Sequence, residues 1–349
     1  MIRWTRPIAA LLVTALSCAV MSWARAAEEP PRWLADTGLY RDPARGEIAD
    51  DVLPFTPQYP LWSDGASKRR WIRLPAGSAI DARNPDAWVF PVGTRLWKEF
   101  RAGRVVETRM IDRLADGSWR FVSYAWQADG FAAELAPVRG TRVDDGRGGR
   151  YRIPSRADCR ACHDGAASPV LGFSALQLSP LRDPLAPHAE PAATDAAGLA
   201  ALVRDGRLLG LPGELLQRAP RIDAPTPLAR AALGYLHGNC GHCHDNIGDA
   251  GVPTGLLLSQ RVADPAHNAV VRESLRTVSP RYRAAGADHG PRAELVLQRM
   301  RSRDPLARMP PLGTEQIDDD ALALIQRWVH EQHTALAKEA SHVPSHPEP

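Results

Sequence analysis

Residues 226–244 read TPLARAALGYLHGNCGHCH. Thr226 is a ready N-cap, because its hydroxyl can accept a backbone N–H left unpaired in a helix's first turn. Pro227 follows at the first helical position, where a missing N–H is tolerated. Leu228, Ala232, Tyr235 and Leu236 then recur at helical spacing. The spacing predicts an amphipathic helix that delivers Cys240, Cys243 and His244 at its end.

Two cysteines separated by two residues, with a histidine immediately after, form a Cys-x-x-Cys-His motif. The chain carries it twice, as Cys159-Arg160-Ala161-Cys162-His163 and as Cys240-Gly241-His242-Cys243-His244. A helical turn of this length can hold two sulfurs at the separation of the two vinyl groups on one porphyrin edge. The next histidine can then ligate the iron from the proximal side. The motifs predict two covalently attached c-type hemes, with Cys159, Cys162, Cys240 and Cys243 as attachment points and His163 and His244 as axial ligands. Other uses of paired cysteines fit less well. Zinc ribbons place their pairs roughly 15–20 residues apart, and thioredoxin-like sites need one pair in a βαβ context. A disulfide within each pair would leave the two following histidines unexplained.

Beyond the second motif lies Arg308-Met309-Pro310-Pro311-Leu312-Gly313. A thioether is a soft ligand that suits heme iron and raises its potential, and the prolines restrict the loop. Met309 is therefore the expected distal ligand of the second heme. Met300, in the helical-looking segment Leu295–Met300, reads as core packing. Asp318, Asp319 and Asp320 complement a helix N-terminus, and Ala321, Leu324, Ile325 and Trp328 form its apolar stripe. Residues 225–337 resemble a class I cytochrome c domain. That resemblance implies that the helix before the motif packs against the last helix. His237 reads as a helix-surface residue and His242 as a solvated spacer.

Residues 28–182 have a different texture. Trp71–Leu74, Trp88–Phe90, Arg95–Trp97, Val105–Ile111 and Trp119–Tyr124 read as short strands, separated by turn signals such as Pro75-Ala76-Gly77 and Ala115-Asp116-Gly117. The expected fold class is α+β: a β-rich N-terminal domain ending in the first heme motif, then a mainly α domain. The first motif is expected on an irregular segment after Ile153-Pro154-Ser155. Residues 183–224, beginning in a Pro- and Ala-rich stretch, read as a linker, and 338–349 as a disordered tail.

Several blocks carry a narrower resemblance: Tyr59-Pro60-Leu61-Trp62-Ser63-Asp64-Gly65-Ala66, Lys68-Arg69-Arg70-Trp71-Ile72, Phe90-Pro91-Val92-Gly93-Thr94, Glu107-Thr108-Arg109, and the run from Ile153 to His163. In combination they resemble a group of bacterial periplasmic diheme cytochromes. The resemblance covers most of the chain after the leader. It implies a diheme cytochrome without supplying a substrate.

The first 26 residues read as a cleavable signal peptide. Arg3 and Arg6 precede an apolar run, and Ala24-Arg25-Ala26 is an A-x-A site. The expected location is the periplasm. A lipid anchor on Cys18 is disfavoured, because Ala15-Leu16-Ser17 lacks the usual aliphatic residue three positions before the cysteine. The leader holds three arginines and no acid, so removing it leaves forty basic residues against forty acidic ones. A neutral chain gives no charge argument for nucleic-acid binding.

The distal ligand of the first heme is left open by the sequence. No methionine lies between His163 and Cys240. His188, Met110, Lys98 and His237 are candidates, and a five-coordinate iron is the alternative. The leading functional expectation is periplasmic electron transfer, with soluble redox proteins and a dehydrogenase or membrane-bound oxidase as partners. The runner-up is a peroxidase-like heme oxidoreductase, with a five-coordinate first heme and the second heme as relay. A third reading makes the β-rich half a docking module, through Lys68-Arg69-Arg70.

Overall fold

The computed structural model describes residues 29–191, 197–245, 255–277 and 291–341. The expected signal peptide, Cys18 and residues 342–349 of the expected tail lie outside the described residues. Among the described residues the chain is α+β, with most strands before residue 154 and seven α-helices from Arg156 onward. No helix among them is long and apolar enough to cross a membrane.

The N-terminal region is organised by a six-stranded antiparallel sheet in sequential order. Its strands are β1 (Leu53–Pro54), β2 (Ser67–Arg73), β3 (Arg95–Ala102), β4 (Arg104–Arg113), β5 (Trp119–Trp126) and β6 (Ala133–Leu135). A further hairpin, β7 (Thr141–Asp144) with β8 (Arg150–Ile153), leads to the first motif. The turn between β3 and β4 is Gly103 at φ +90°, where a Cβ would meet the Asp145 carbonyl oxygen at 2.6 Å. Only glycine fits both conditions.

Side chains alternate across a strand, so register assigns each residue to a face. Trp71, Trp97, Met110 and Val122 stand side by side on one face. They are buried with Leu34, Leu39, Val52 and Tyr124. Ile72, Leu96, Ile111 and Phe121 stand on the other. The expected strand Trp88–Phe90 is only an isolated bridge, Asp81 to Val89. Its aromatics are used instead as packing: Trp88 and Phe90 meet Phe173 with ring centroids 5.7 and 5.9 Å apart.

Residues 183–224 do more than connect. Leu208–Leu209 pairs in parallel with Ile80–Asp81, and Leu199 and Leu202, on helix α2 (Leu199–Arg204), are buried in the same cluster as Ile72 and Phe173. Burying each such leucine contributes about 1.5–3 kcal/mol. The middle of this segment thus belongs to the core of the β-rich half, while Ala186 and Ile222 near its ends are buried with the C-terminal helices. Asp183 is buried and accepts from the Tyr59 hydroxyl (3.2 Å) and Arg230 (3.2 Å), while Glu190 holds Arg70 at 2.6 Å.

The first motif lies on helix α1 (Arg156–His163), and a short helix α3 (Glu214–Gln217) follows α2. The C-terminal helices are α4 (Pro227–Asn239), α5 (Pro265–Arg276), α6 (Arg292–Arg301) and α7 (Asp319–Ser341). Thr226 caps α4 through Ala229 N (3.1 Å), and Asp318 caps α7 through Ala321 N (3.0 Å). Helix α4 packs against α7, with Ala232, Tyr235 and Leu236 and Ala321, Leu324, Ile325 and Trp328 in one cluster that also holds Met300. Helix α7 runs on to Ser341, past the tail boundary expected at 338.

The block Tyr59–Gly65 fastens the two regions together. Asn239, at the end of α4, accepts from Trp62 N (2.7 Å) and donates to the Pro60 carbonyl (3.3 Å). Asp64 accepts from Glu315 N and Gln316 N, each at 3.0 Å. The Tyr59 ring lies where a Cβ on Gly234 would be, and its backbone where one on Gly238 would be. The two glycines, one helical turn apart, form a notch that seats Tyr59.

Candidate functional site

Helix α1 is short, and its start is fixed chemically. The Ser155 side chain accepts from Asp158 N, and the Asp158 carboxylate accepts from Ser155 N, a reciprocal capping box. The sequence Ser155-Arg156-Ala157-Asp158 announced it, so the expectation of an irregular segment is corrected. The helix packs against β5 and carries Cys159, Cys162 and His163 in its last turns.

His163 reaches a cavity of about 110 Å³ that is partly open to solvent. Cys159, Leu96, Ile111, Phe121, Val170 and Leu171 supply sulfur and apolar surface to it, and Arg70, Lys98 and Arg109 supply cations. The His163 Nδ1 lies 2.6 Å from the Pro169 carbonyl oxygen. A carbonyl partner makes Nδ1 the protonated nitrogen and leaves the Nε2 lone pair free. Burial pushes the ring's pKa down to about 4, so the imidazole is neutral. Phe121 fixes its plane, with ring centroids 4.8 Å apart. A neutral histidine oriented by a backbone carbonyl is the arrangement of a metal-ligating imidazole.

His244 is built on the same plan. It is buried, its ring hydrogen-bonds the Leu256 backbone, and burial pushes its pKa down. Its own carbonyl accepts from Leu258 N at 2.8 Å. Residues 246–254, which follow directly, lie outside the described residues. Cys240 is pushed up to about 12 by burial, and Cys159 to about 11, chiefly also by burial. Reactive or catalytic cysteines need a lowered pKa, so these two are poor nucleophiles.

The two motifs meet. A sulfur of Cys162, a sulfur of Cys243 and a ring nitrogen of His242 lie within 4.8 Å of one another. The Cys162 thiol donates to Cys243, which raises Cys162 to about 12 and lowers Cys243. Cys243 also lies 3.8 Å from the Ala161 carbonyl. His242 is thus an interface residue rather than a solvated spacer. His237 is likewise not a free surface residue. Its Nδ1 accepts from Gln260 N at 3.0 Å, and burial pushes its pKa down to about 4.

A second cavity adjoins the first and shares Val170, Leu171, Gly172, Gln177 and Gly238 with it. It lies between the segment after α1 and the second motif, and Asp86, His237, His242, Asp245 and Arg261 make it polar. Met309 lines neither cavity. It is half-buried, with its backbone N–H on the Arg299 carbonyl at 3.0 Å. The structure therefore brings together Cys159 and His163 at one site, and Cys162 with Cys243 between the sites, without joining Met309 to them.

Two of the four candidates for the open ligand position are placed elsewhere. His188 binds Asp318 at 2.8 Å and stacks on Trp62 at 4.8 Å, so it is not in a solvated linker. His237 faces the second cavity. Lys98 and Met110 both border the cavity that His163 enters. Met110 belongs to the buried cluster on the opposite sheet face, whereas Lys98 stands on the face that carries Phe121.

No family model, curated protein or solved structure matches this chain.

Proposed function

We propose that the protein is an exported electron carrier that binds two hemes c, one at Cys159, Cys162 and His163 and one at Cys240, Cys243, His244 and Met309. The observation that carries this reading is the approach of the two motifs, with Cys162 and Cys243 in contact. The sulfurs that would bear one thioether of each cofactor are neighbours, which suits electron exchange between two centres. The histidines fit the same role, since each is held neutral by burial and bonded to backbone at one ring nitrogen.

Heme c supplies a one-electron iron couple when bound. The chain's own residues do the rest. The cysteines would fix the position of the ring, Pro169 and Phe121 orient His163, and the residues from Leu96 to Leu171 give the first site an apolar wall. Arg70 and Arg109 supply positive charge at the wall. Periplasmic redox proteins, with a dehydrogenase or membrane-bound oxidase at either end, are the partners this reading implies.

The test is composition. Exported through a cytochrome c maturation system, the chain should gain the mass of two hemes, give a pyridine hemochrome of the bis-thioether type and be reducible by dithionite. A chain that instead leaves the periplasm with zinc and no heme would support a metal site at Cys162, His242 and Cys243, since both uses consume the same sulfurs. A second functional reading, a peroxidase-like oxidoreductase, is favoured by the partly open cavity at His163. It requires a high-spin first heme that reacts with peroxide.

A further inference from the structure

We propose that Lys98 is the sixth ligand of the iron bound at His163, so that the first heme is a histidine–lysine centre. The inference rests on the heme reading above and names the donor that the sequence left open.

His163 and Lys98 line one cavity but enter it from different elements. His163 stands beside β5, against Phe121. Lys98 stands on β3, in the cross-strand row Arg70, Lys98, Arg109, Ser123, on the sheet face that also carries Phe121. Neighbouring strands are ~4.8 Å apart, so the β3 and β5 positions are separated by about 10 Å. The two donors border one shared space.

The row is a set of three cations with an uneven supply of acids. Arg70 is matched by Glu190 at 2.6 Å, and Arg109 by Glu107 at 2.8 Å. Nothing matches Lys98. Among the described residues its amine has no hydrogen bond or ion pair, and it lies over the Phe100 ring, with Nζ 4.9 Å from the centroid. An ammonium there would stand beside two guanidiniums with only Glu190, already bound to Arg70, to offset it, which burial penalises. Burial, with Arg70, Lys68 and Arg109 close by, pushes the amine well below the usual lysine range. This environment favours the neutral amine, whose lone pair can be given to an electron-pair acceptor. A metal centre in the same cavity is such an acceptor.

The experiment uses the matured, heme-loaded full chain. Pyridine hemochrome gives the heme count first, and a count of zero overturns the heme reading itself. With two hemes present, the unaltered protein should show two low-spin ferric hemes by electron paramagnetic resonance. One near-infrared magnetic circular dichroism band should lie at the position of amine ligation. In Lys98→Ala, one low-spin heme of the two should become high-spin and bind carbon monoxide when reduced, and added methylamine should restore it. Lys68→Ala, which removes a neighbouring cation, should leave both hemes low-spin. Two low-spin hemes in Lys98→Ala, or a high-spin heme in the unaltered protein, would overturn the assignment. The former with a shifted potential would make Lys98 a charge partner of the cofactor's carboxylates. If Lys98→Ala does not accumulate, the near-infrared band of the unaltered protein decides, because absence of an amine band overturns the proposal alone.

Discussion

The sulfurs of Cys162 and Cys243 lie within 4.8 Å of each other, although one ends the first motif's helix and the other follows α4. The contact joins two regions of different architecture through the residues each reserves for its chemistry. It has a consequence that requires no cofactor. The neighbouring Cys162 lowers the pKa of Cys243, so Cys243 is the more readily ionised of the two. Once either sulfur is oxidised, the other is placed to attack it.

Chain produced without heme maturation and treated with a mild thiol oxidant should therefore form a Cys162–Cys243 disulfide. Peptide mapping by mass spectrometry should recover it as the main cross-link. Recovery of only Cys159–Cys162 and Cys240–Cys243 would show that the motifs do not meet in solution. In matured protein the same four thiols should be closed to alkylation.

Changing Met309 to Ala should affect one heme of two. If its thioether completes the second centre, that heme should become reactive toward carbon monoxide, with a lower potential, and the first should be unchanged. Optical titration with carbon monoxide reads this directly as half of the total heme. An unaltered spectrum would remove Met309 from the ligand set and return attention to residues beyond those that line the cavities.

The notch in α4 predicts a loss of stability with no change in chemistry. A Cβ on Gly234 would stand 2.1 Å from the Tyr59 ring, and one on Gly238 would stand 2.5 Å from the Tyr59 carbonyl oxygen. Gly234→Ala or Gly238→Ala should cost about 1–3 kcal/mol, the range for overpacking a filled site. Gly213→Ala is the control, because its Cβ would meet nothing within 4 Å. Urea unfolding of the three variants separates them. Equal midpoints would mean that Tyr59 does not seat on α4.

How much of this could be read from the sequence depended on whether a signal is local. Thr226-Pro227 and Asp318 announced their helices, and the apolar stripes of α4 and α7 announced the packing between them. The capping box at Ser155 is equally local, although Pro154 beside it reads as a break in regular structure. The long-range features left weaker traces. Gly234 and Gly238 read as ordinary helix residues until Tyr59 is placed against them. His188 sits among prolines, which suggests a solvated linker, and only the fold brings Asp318 and Trp62 to it. Lys98 is the clearest case. In the sequence it is one of four candidate ligands, with no local signal to set it apart. Pairing with β2 and β4 puts it between two arginines on a cavity wall.

Lys68 offers a pH test of that cationic wall. Its amine donates to the Leu61 carbonyl at 2.8 Å. Burial first, and then Arg70, pushes its pKa down to about 8, with Arg109 acting in the same direction and Glu190 and Asp318 against it. In the unfolded chain the same amine titrates near ~10.4. Between these values the unfolded chain holds a proton that the folded chain has shed. The unfolded state then binds more protons, so stability rises with pH across the window. The contribution is complete above the unfolded value and is lost as pH falls toward 8. A shift of this size corresponds to at most about 3 kcal/mol. Lys68→Met removes the titration but keeps most of the apolar stem. The unfolding free energy of the protein relative to Lys68→Met should therefore climb as pH is raised from about 8 to 10.5, as followed by urea denaturation at several pH values. A flat difference would mean that the amine is hydrated and titrates normally. A falling one would mean that an acid, rather than Arg70, governs its environment.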